Sequence, residues 1–201
     1  EKMFFLLSQA YFKSKQYYLA GFQFESFVSG YPKSEKVEEA YYLGAKSFAM
    51  LSPSYSLDQT DTFKAIGKLQ DFIDRYPNSQ YVTDANVTLK ILTDKIEQKV
   101  YENAKLYYTI EDYKAAIVAL DGFLADYPGT RYKDDAMFYK LDSSFTLAIN
   151  SVNIKQQERL LSAKTAFNNF IKYNSDSKHK KRAEEIAAII DLELQKFSNI
   201  N

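Results

Sequence analysis

Apolar residues return every three or four positions along most of the chain, and the pattern breaks only at a few short turns, which predicts an all-α protein. The helices expected from it cover about residues 2–13, 16–29, 35–51, 61–75, 80–109, 111–126, 132–149, 156–173 and 179–197. The fifth has no breaker, and Ala85, Leu89, Leu92, Ile96, Val100, Ala104 and Tyr107 form its stripe. It exceeds the matching segment after the first turn by fifteen residues, or about four helical turns, so its stripe stays nearly in phase. The last helix carries Ala183, Ile186, Ile190 and Leu194 on one side with charges elsewhere.

Four of the breaks share one sequence box. Phe27, Phe72, Phe123 and Phe170 are each followed seven residues later by a hydroxyl residue (Ser34, Ser79, Thr130, Ser177) and thirteen later by alanine (Ala40, Ala85, Ala136, Ala183). The first three boxes hold Tyr-Pro (Tyr31-Pro32, Tyr76-Pro77, Tyr127-Pro128), whereas the fourth has Ser175 where the proline would stand. Proline lacks an N–H and moves the residue before it out of the α region, so the box ends one helix. Its hydroxyl residue is expected to cap the next.

Counting back from each proline gives small residues at twelve (Ala20, Ala65, Ala116) and large apolar ones at eight (Phe24, Leu69, Leu120). Fifteen back stand Tyr17 and Tyr113, with Thr62 as the exception, and twenty-one back stand Tyr11 and Tyr107 behind the small Ser8 and Ala104. These offsets match the helix A and helix B pattern of a tetratricopeptide (TPR) array, against the alternative of chance amphipathic hairpins. The expected fold is a TPR solenoid of about four repeats, with one long central helix and a capping helix over the final apolar face. Two parts follow: 1–79, an N-terminal TPR pair, and 80–201, with the long helix as a rigid strut, a C-terminal TPR pair and the cap. Residues 52–60, Ser-Pro-Ser-Tyr-Ser-Leu-Asp-Gln-Thr, interrupt the second repeat as an extra surface loop.

Composition narrows the function classes. The 26 basic residues equal the 26 acidic ones, and 22 of the basic set are lysines against four arginines, which argues against a nucleic-acid surface. With one histidine, His179, and no cysteine, His/Cys metal sets and histidine triads are unavailable, and no cofactor or metal is expected. The six glycines are scattered and build no phosphate loop. The acidic pairs Glu38-Glu39, Asp134-Asp135 and Glu184-Glu185 stand near helix starts, where carboxylates favour the dipole. No catalysis is expected. No apolar run is long enough to span a bilayer, and Glu1 falls inside an apolar helical pattern, as expected for a segment of a longer chain.

The stretch Arg75-Tyr-Pro-Asn-Ser-Gln-Tyr-Val-Thr-Asp-Ala85, the long helix to Tyr107-Tyr108, and Leu124-Ala-Asp-Tyr-Pro128 resemble the BamD family. These are TPR lipoproteins of the outer-membrane β-barrel assembly machinery, and the Ser52-Pro53 insert is similar to theirs. The resemblance covers most of residues 1–175. It implies a lipid-anchored scaffold at the periplasmic face of the outer membrane, with the anchor outside this segment. Its partners would be unfolded outer-membrane β-barrel proteins at the N-terminal repeats, and the POTRA domains of BamA and other assembly lipoproteins at the C-terminal ones. Tol-Pal-associated periplasmic TPR adaptors share the aromatic-Pro-x-Ser box and remain the alternative. A cytosolic carboxylate clamp fits poorly, since Phe5, Gln9, Glu38 and Tyr42 stand where lysines and asparagines are needed.

Two candidate sites follow. Helix A residues that turn away from helix B are expected to line a groove: Phe5, Gln9, Phe12 and Lys13, then Tyr41, Tyr42, Ala45 and Phe48. This aromatic surface would take an extended, aromatic-ended peptide, with packing against a preceding repeat as the alternative for Phe5 and Phe12. Lys178, Lys180, Lys181 and Arg182 open the last helix, where cations oppose the dipole. They form either a solvated face or the edge of a docking surface.

Overall fold

The structure, a computed structural model, describes residues 1–198. Among them are nine helices: α1 (Lys2–Lys13), α2 (Tyr17–Gly30), α3 (Val37–Ala49), α4 (Thr60–Arg75), α5 (Val82–Thr109), α6 (Tyr113–Asp126), α7 (Lys133–Ile149), α8 (Asn153–Tyr173) and α9 (Lys180–Ser198). No described residue is in a strand. The chain forms two compact units, residues 1–99 and Val100 onward. In the first, α2 packs on α1 and α3, and α3 on α4; in the second, α6 packs on α7, α7 on α8, and α9 on both α7 and α8. Within each unit these helices pack on their sequence neighbours, as in a TPR array.

The box phenylalanines anchor both units. Phe27, Phe72, Phe123 and Phe170 are at most 1% exposed, and Ala40, Ala85, Ala136 and Ala183 are fully buried. Each phenylalanine fills the angle between its helix and the next, and the alanine lets the two backbones approach. After each phenyl the backbone repeats one trace. Tyr31, Tyr76, Tyr127 and Asn174 donate their N–H to the carbonyls of Phe27, Phe72, Phe123 and Phe170, with φ between −137° and −125° and ψ between 52° and 66°. The fourth box keeps this trace with Asn174-Ser175 in place of Tyr-Pro, where Asn174 Nδ2 also donates to the Phe170 carbonyl at 3.2 Å. Proline favours the stop but is not what makes it.

The hydroxyl caps sit one turn earlier than expected. Ser34, Ser79, Thr130 and Ser177 accept the N–H two residues on, from Lys36, Tyr81, Tyr132 and His179, at 2.9 to 3.1 Å. Their own carbonyls receive the N–H three residues on, a 3₁₀-like lead-in turn before the α-helix. The hydroxyls satisfy that turn, and the regular helices begin just beyond it.

The α5 stripe also shifts at its C-terminal end. Ala85 and Leu92 enter the first unit's core, and Tyr101 and Ala104 the second's. Tyr108, rather than the expected Tyr107, packs there, while Tyr107 is exposed. Tyr108 continues the i, i+4 row from Ala104, and a 3.6-residue period keeps only one of the two adjacent rings inside.

The insert is held by polar contacts. Gln59, buried, donates from Nε2 to the carbonyls of Ser54 (2.8 Å) and Leu57 (3.0 Å), and Thr62 Oγ1 donates to Gln59 Oε1 at 2.8 Å. This explains threonine at a tyrosine position: its hydroxyl closes the loop. Lys95 of α5 reaches Ser52 Oγ at 2.6 Å, and Lys99 donates to the Leu57 carbonyl. Between α2 and α3, a Cβ on Gly21 would stand 3.0–3.3 Å from the Phe48 ring, and one on Gly44 3.2 Å from Phe24 Cβ. These two glycines set the closeness of that helix pair.

Replacing Phe72 by alanine should lower stability by ~3–5 kcal/mol in chemical denaturation, whereas Pro77→Ala should change it by under ~1 kcal/mol, because the fourth box holds the same trace without proline. Leu92→Pro, inside α5, should lower stability by ~3 kcal/mol or more and reduce far-UV helicity.

Candidate functional site

The groove residues divide sharply by position. Gln9, Phe12 and Tyr41 are half-buried and Lys13 is exposed, whereas Phe5, Tyr42, Ala45 and Phe48 are only 3–6% exposed. The expectation of eight groove-lining residues is therefore corrected for Tyr42 and Phe48, which border neither cleft described below, while Phe5 and Ala45 each keep only an edge on one. Phe5 and Tyr42 belong to a series that runs through every repeat. The ring centroids of Phe5 and Phe27, Tyr42 and Phe72, Tyr101 and Phe123, and Phe138 and Phe170 lie 5.3, 5.5, 5.5 and 6.1 Å apart. On its other side, each of these helix A rings meets the residue nine after the box phenylalanine. Tyr81 stacks on Tyr42 (4.7 Å, 8°), Tyr132 on Tyr101 (4.2 Å, 9°) and His179 on Phe138 (4.1 Å, 4°), while the Lys36 ammonium lies 5.6 Å over Phe5. The rings that looked like groove anchors are junction cores. Phe48 packs under Gly21, and Lys64 lies 4.1 Å from its ring centroid.

Tyr42 also holds a polar triad. Its hydroxyl donates to Asp84 Oδ2, and Lys46 Nζ reaches Tyr42 Oη at 2.8 Å and Asp84 at 2.7 Å. The Lys46 and Tyr42 hydrogen bonds hold the Asp84 carboxyl below its ordinary range, while burial and the Asp84 contact push the Tyr42 phenol up.

Two clefts open on the first unit. One, of about 390 Å³, lies between α2, α3 and α4 and is lined by Tyr41, Ala45, Glu25, Lys68 and Arg75 among others. Lys68 pairs with Glu25, and the Arg75 guanidinium lies 5.7 Å over the Tyr41 ring and 6.0 Å from that of Tyr76. The other, of about 660 Å³, is bordered by Phe5, Leu6, Gln9, Lys33 and Lys36. Gln9 Nε2 donates to Glu39 Oε1 at 3.3 Å, tying α1 to α3. Phe12 is edge-on to Tyr17 at 5.6 Å, and neither it nor Lys13 borders these clefts. Arg75, which sequence spacing did not select, comes from the helix that ends at the box and reaches the cleft only through the packing of α4 on α3.

The basic cluster also divides. Lys178 lies in the turn before α9 and pairs with Asp135 at 2.8 Å, and Arg182 pairs with Glu185 at 3.3 Å. Lys180 and Lys181 are exposed in the first turn of α9. No helix among the described residues is long and apolar enough to cross a membrane.

A family profile described as "YfiO: Outer membrane lipoprotein" matches residues 1–107 and again 93–194, so both units carry it. The chain belongs to the YfiO family. Curated relatives named outer membrane protein assembly factor BamD include that of Caulobacter vibrioides, 26% identical over 141 residues, covering 70% of this chain and 46% of the relative. That of Rickettsia prowazekii is 27% identical over 146 residues, covering 72% and 58%. A shorter match, to the Helicobacter pylori protein, is 33% identical over 75 residues, covering 37% and 34%. The chain spans about half the length of the first two. In this YfiO-family chain, the box and ring series account for eight of the buried aromatics, Phe5, Phe27, Tyr42, Phe72, Tyr101, Phe123, Phe138 and Phe170.

Tyr42→Phe should cost about 1 kcal/mol by removing the triad's hydroxyl, and Tyr42→Ala ~3–5 kcal/mol by emptying the ring's place, both read in urea unfolding. Lys178 and His179 likewise hold Asp135 below its ordinary range against the opposing effect of burial. Both carboxyls have folded values below the unfolded ~3.9, so their stabilisation is full above that pH and lost as pH falls through the folded values. Thermal unfolding from pH 7 to pH 2 should show this acid loss, smaller in Asp84→Asn.

Proposed function

We propose that this chain is a non-catalytic scaffold of outer-membrane β-barrel assembly, sited at the periplasmic face of the outer membrane through a lipid anchor outside residues 1–201. The observation that carries the reading is the match of both units to one outer membrane lipoprotein family, together with relatives named as assembly factors. The N-terminal TPR pair, 1–79, receives unfolded barrel proteins, and the part from residue 80 onward docks the POTRA domains of BamA and companion lipoproteins.

On the substrate side, the cleft of Tyr41, Ala45, Lys68 and Arg75 suits an extended peptide with a terminal aromatic. The Tyr41 ring offers a stacking face and the Arg75 guanidinium a partner for a carboxylate. Gln9, Phe12 and Lys13 on α1 extend the accessible surface, while Phe5, Tyr42 and Phe48 act by shaping the helices that carry it. On the partner side, exposed Lys180 and Lys181, with Arg182, supply positive charge at an edge; Lys178 is committed to Asp135.

A fluorescent peptide copying the last strand of a barrel protein should bind the chain, and Tyr41→Ala or Arg75→Glu should each weaken it about tenfold, near 1.4 kcal/mol. Equal affinity for wild type and both variants refutes the cleft. Reversal of Lys180, Lys181 and Arg182 to glutamate should weaken capture of a BamA POTRA fragment, most strongly at low salt. A Tol-Pal-type adaptor would show no POTRA capture at all.

A further inference from the structure

Asp134 and Asp135 in the first turn of α7 meet His179 from the turn between α8 and α9. One potential ligand atom from each lies within 4.8 Å of the other two. Asp135 Oδ1 contacts His179 Nε2 at 2.6 Å and the Lys178 ammonium at 2.8 Å. Asp134 Oδ1 is buried and has no hydrogen-bond partner. A buried carboxylate oxygen left this way is rare in native structures, because desolvation weakens it with nothing in return.

The other repeats show how this junction departs from the common plan. In the first two boxes the cap hydroxyl reaches back to a glutamate: Ser34 Oγ donates to Glu1 Oε1, and Ser79 Oγ to Glu38 Oε1. Asp134 holds the position of Glu38, eleven residues after its box phenylalanine, but its side chain is one methylene shorter. Its Oδ1 stays unpartnered while Ser177 Oγ accepts the His179 N–H at 2.9 Å. The ring place is also changed. Tyr81 and Tyr132 stack there in the second and third boxes, so stacking on Phe138 needs only a flat ring, and imidazole adds a nitrogen donor beside two carboxylates.

We propose that Asp134, Asp135 and His179 bind a divalent first-row transition ion, Zn²⁺ being the best fit to one imidazole and two carboxylates. The two carboxylates balance the ion's charge, and the bonds join the start of α7 to the turn that leads into α9. To seat bonds of ~2.0–2.2 Å, the Asp135 Oδ1–His179 Nε2 contact must open from its 2.6 Å as the ion enters between them, and Asp134 Oδ1 has no hydrogen bond to lose in turning to the ion. Lys178 is the built-in competitor, since an ion on Asp135 displaces its ammonium. Counting only histidine and cysteine concealed this set in the sequence, where His179 lies 44 residues from Asp135. The site is independent of the scaffold function proposed above.

The test is calorimetric titration of ZnCl₂ into the tag-free, metal-stripped 201-residue chain, with thermal unfolding alongside. One saturable site and a rise in Tm are expected. His179→Phe keeps a ring on Phe138 without a donor, and Asp134→Asn keeps the shape without the charge. Each should weaken Zn²⁺ binding about tenfold or more, while Lys178→Ala should tighten it severalfold. No saturable binding up to ~1 mM Zn²⁺, affinity unchanged by His179→Phe and Asp134→Asn, or weaker binding in Lys178→Ala overturns the proposal.

Discussion

Four of the helix junctions, those after α2, α4, α6 and α8, each rest on one buried phenyl ring. Phe27, Phe72, Phe123 and Phe170 each pack against an aromatic ring of the preceding helix A, at centroid separations of 5.3 to 6.1 Å. An aromatic pair of this kind adds ~0.5–1.5 kcal/mol to the burial itself, and four such pairs are spread over both units rather than gathered in one core. The alanine thirteen residues on is fully buried in all four. Any larger side chain there would push the next helix off the phenyl. The constraint is geometric: the stop must place the next helix against the ring, and the Tyr-Pro and Asn-Ser traces both do so.

The outer side of each helix A ring is where the repeats differ. A lysine ammonium, two tyrosines and a histidine occupy equivalent places over Phe5, Tyr42, Tyr101 and Phe138. All four cover the ring, yet each brings different polar neighbours. Lys36 pairs with Glu39, Tyr42 beneath Tyr81 joins Asp84 and Lys46, and His179 meets Asp135. A repeat fold can thus hold its packing constant while one junction acquires the donor set of an ion site. The accessible surface follows the same logic: rings consumed by junctions are unavailable to a partner, whereas Tyr41 beside Arg75 and the α9 cations stay open.

How legible the clefts were depended on which neighbour decides a side chain's fate. Tyr41 and Tyr42 are adjacent on α3 and chemically alike. One keeps an open face beside Arg75, while the other is sealed between Phe72 and Tyr81. The helix A rule reads a face from periodicity alone, and a boundary of one residue, about 100° of turn, separates groove from core. Tyr107 and Tyr108 were exchanged for the same reason. Thr62, an apparent lapse in the repeat, became intelligible only with Gln59 folded beneath the insert.

The sequence by itself determined the helix order, the four stops, the buried phenylalanines and alanines, and the TPR arrangement, because these depend on local backbone limits and on volumes repeated at constant spacing. The tertiary structure alone decided which of the spaced aromatics are sealed and which stay open, where the caps act, and what stands opposite each carboxylate. Those outcomes depend on side chains tens of residues apart, such as Asp135 and His179 or Ser79 and Glu38, whose meeting is set by helix packing and leaves no periodic mark in the chain.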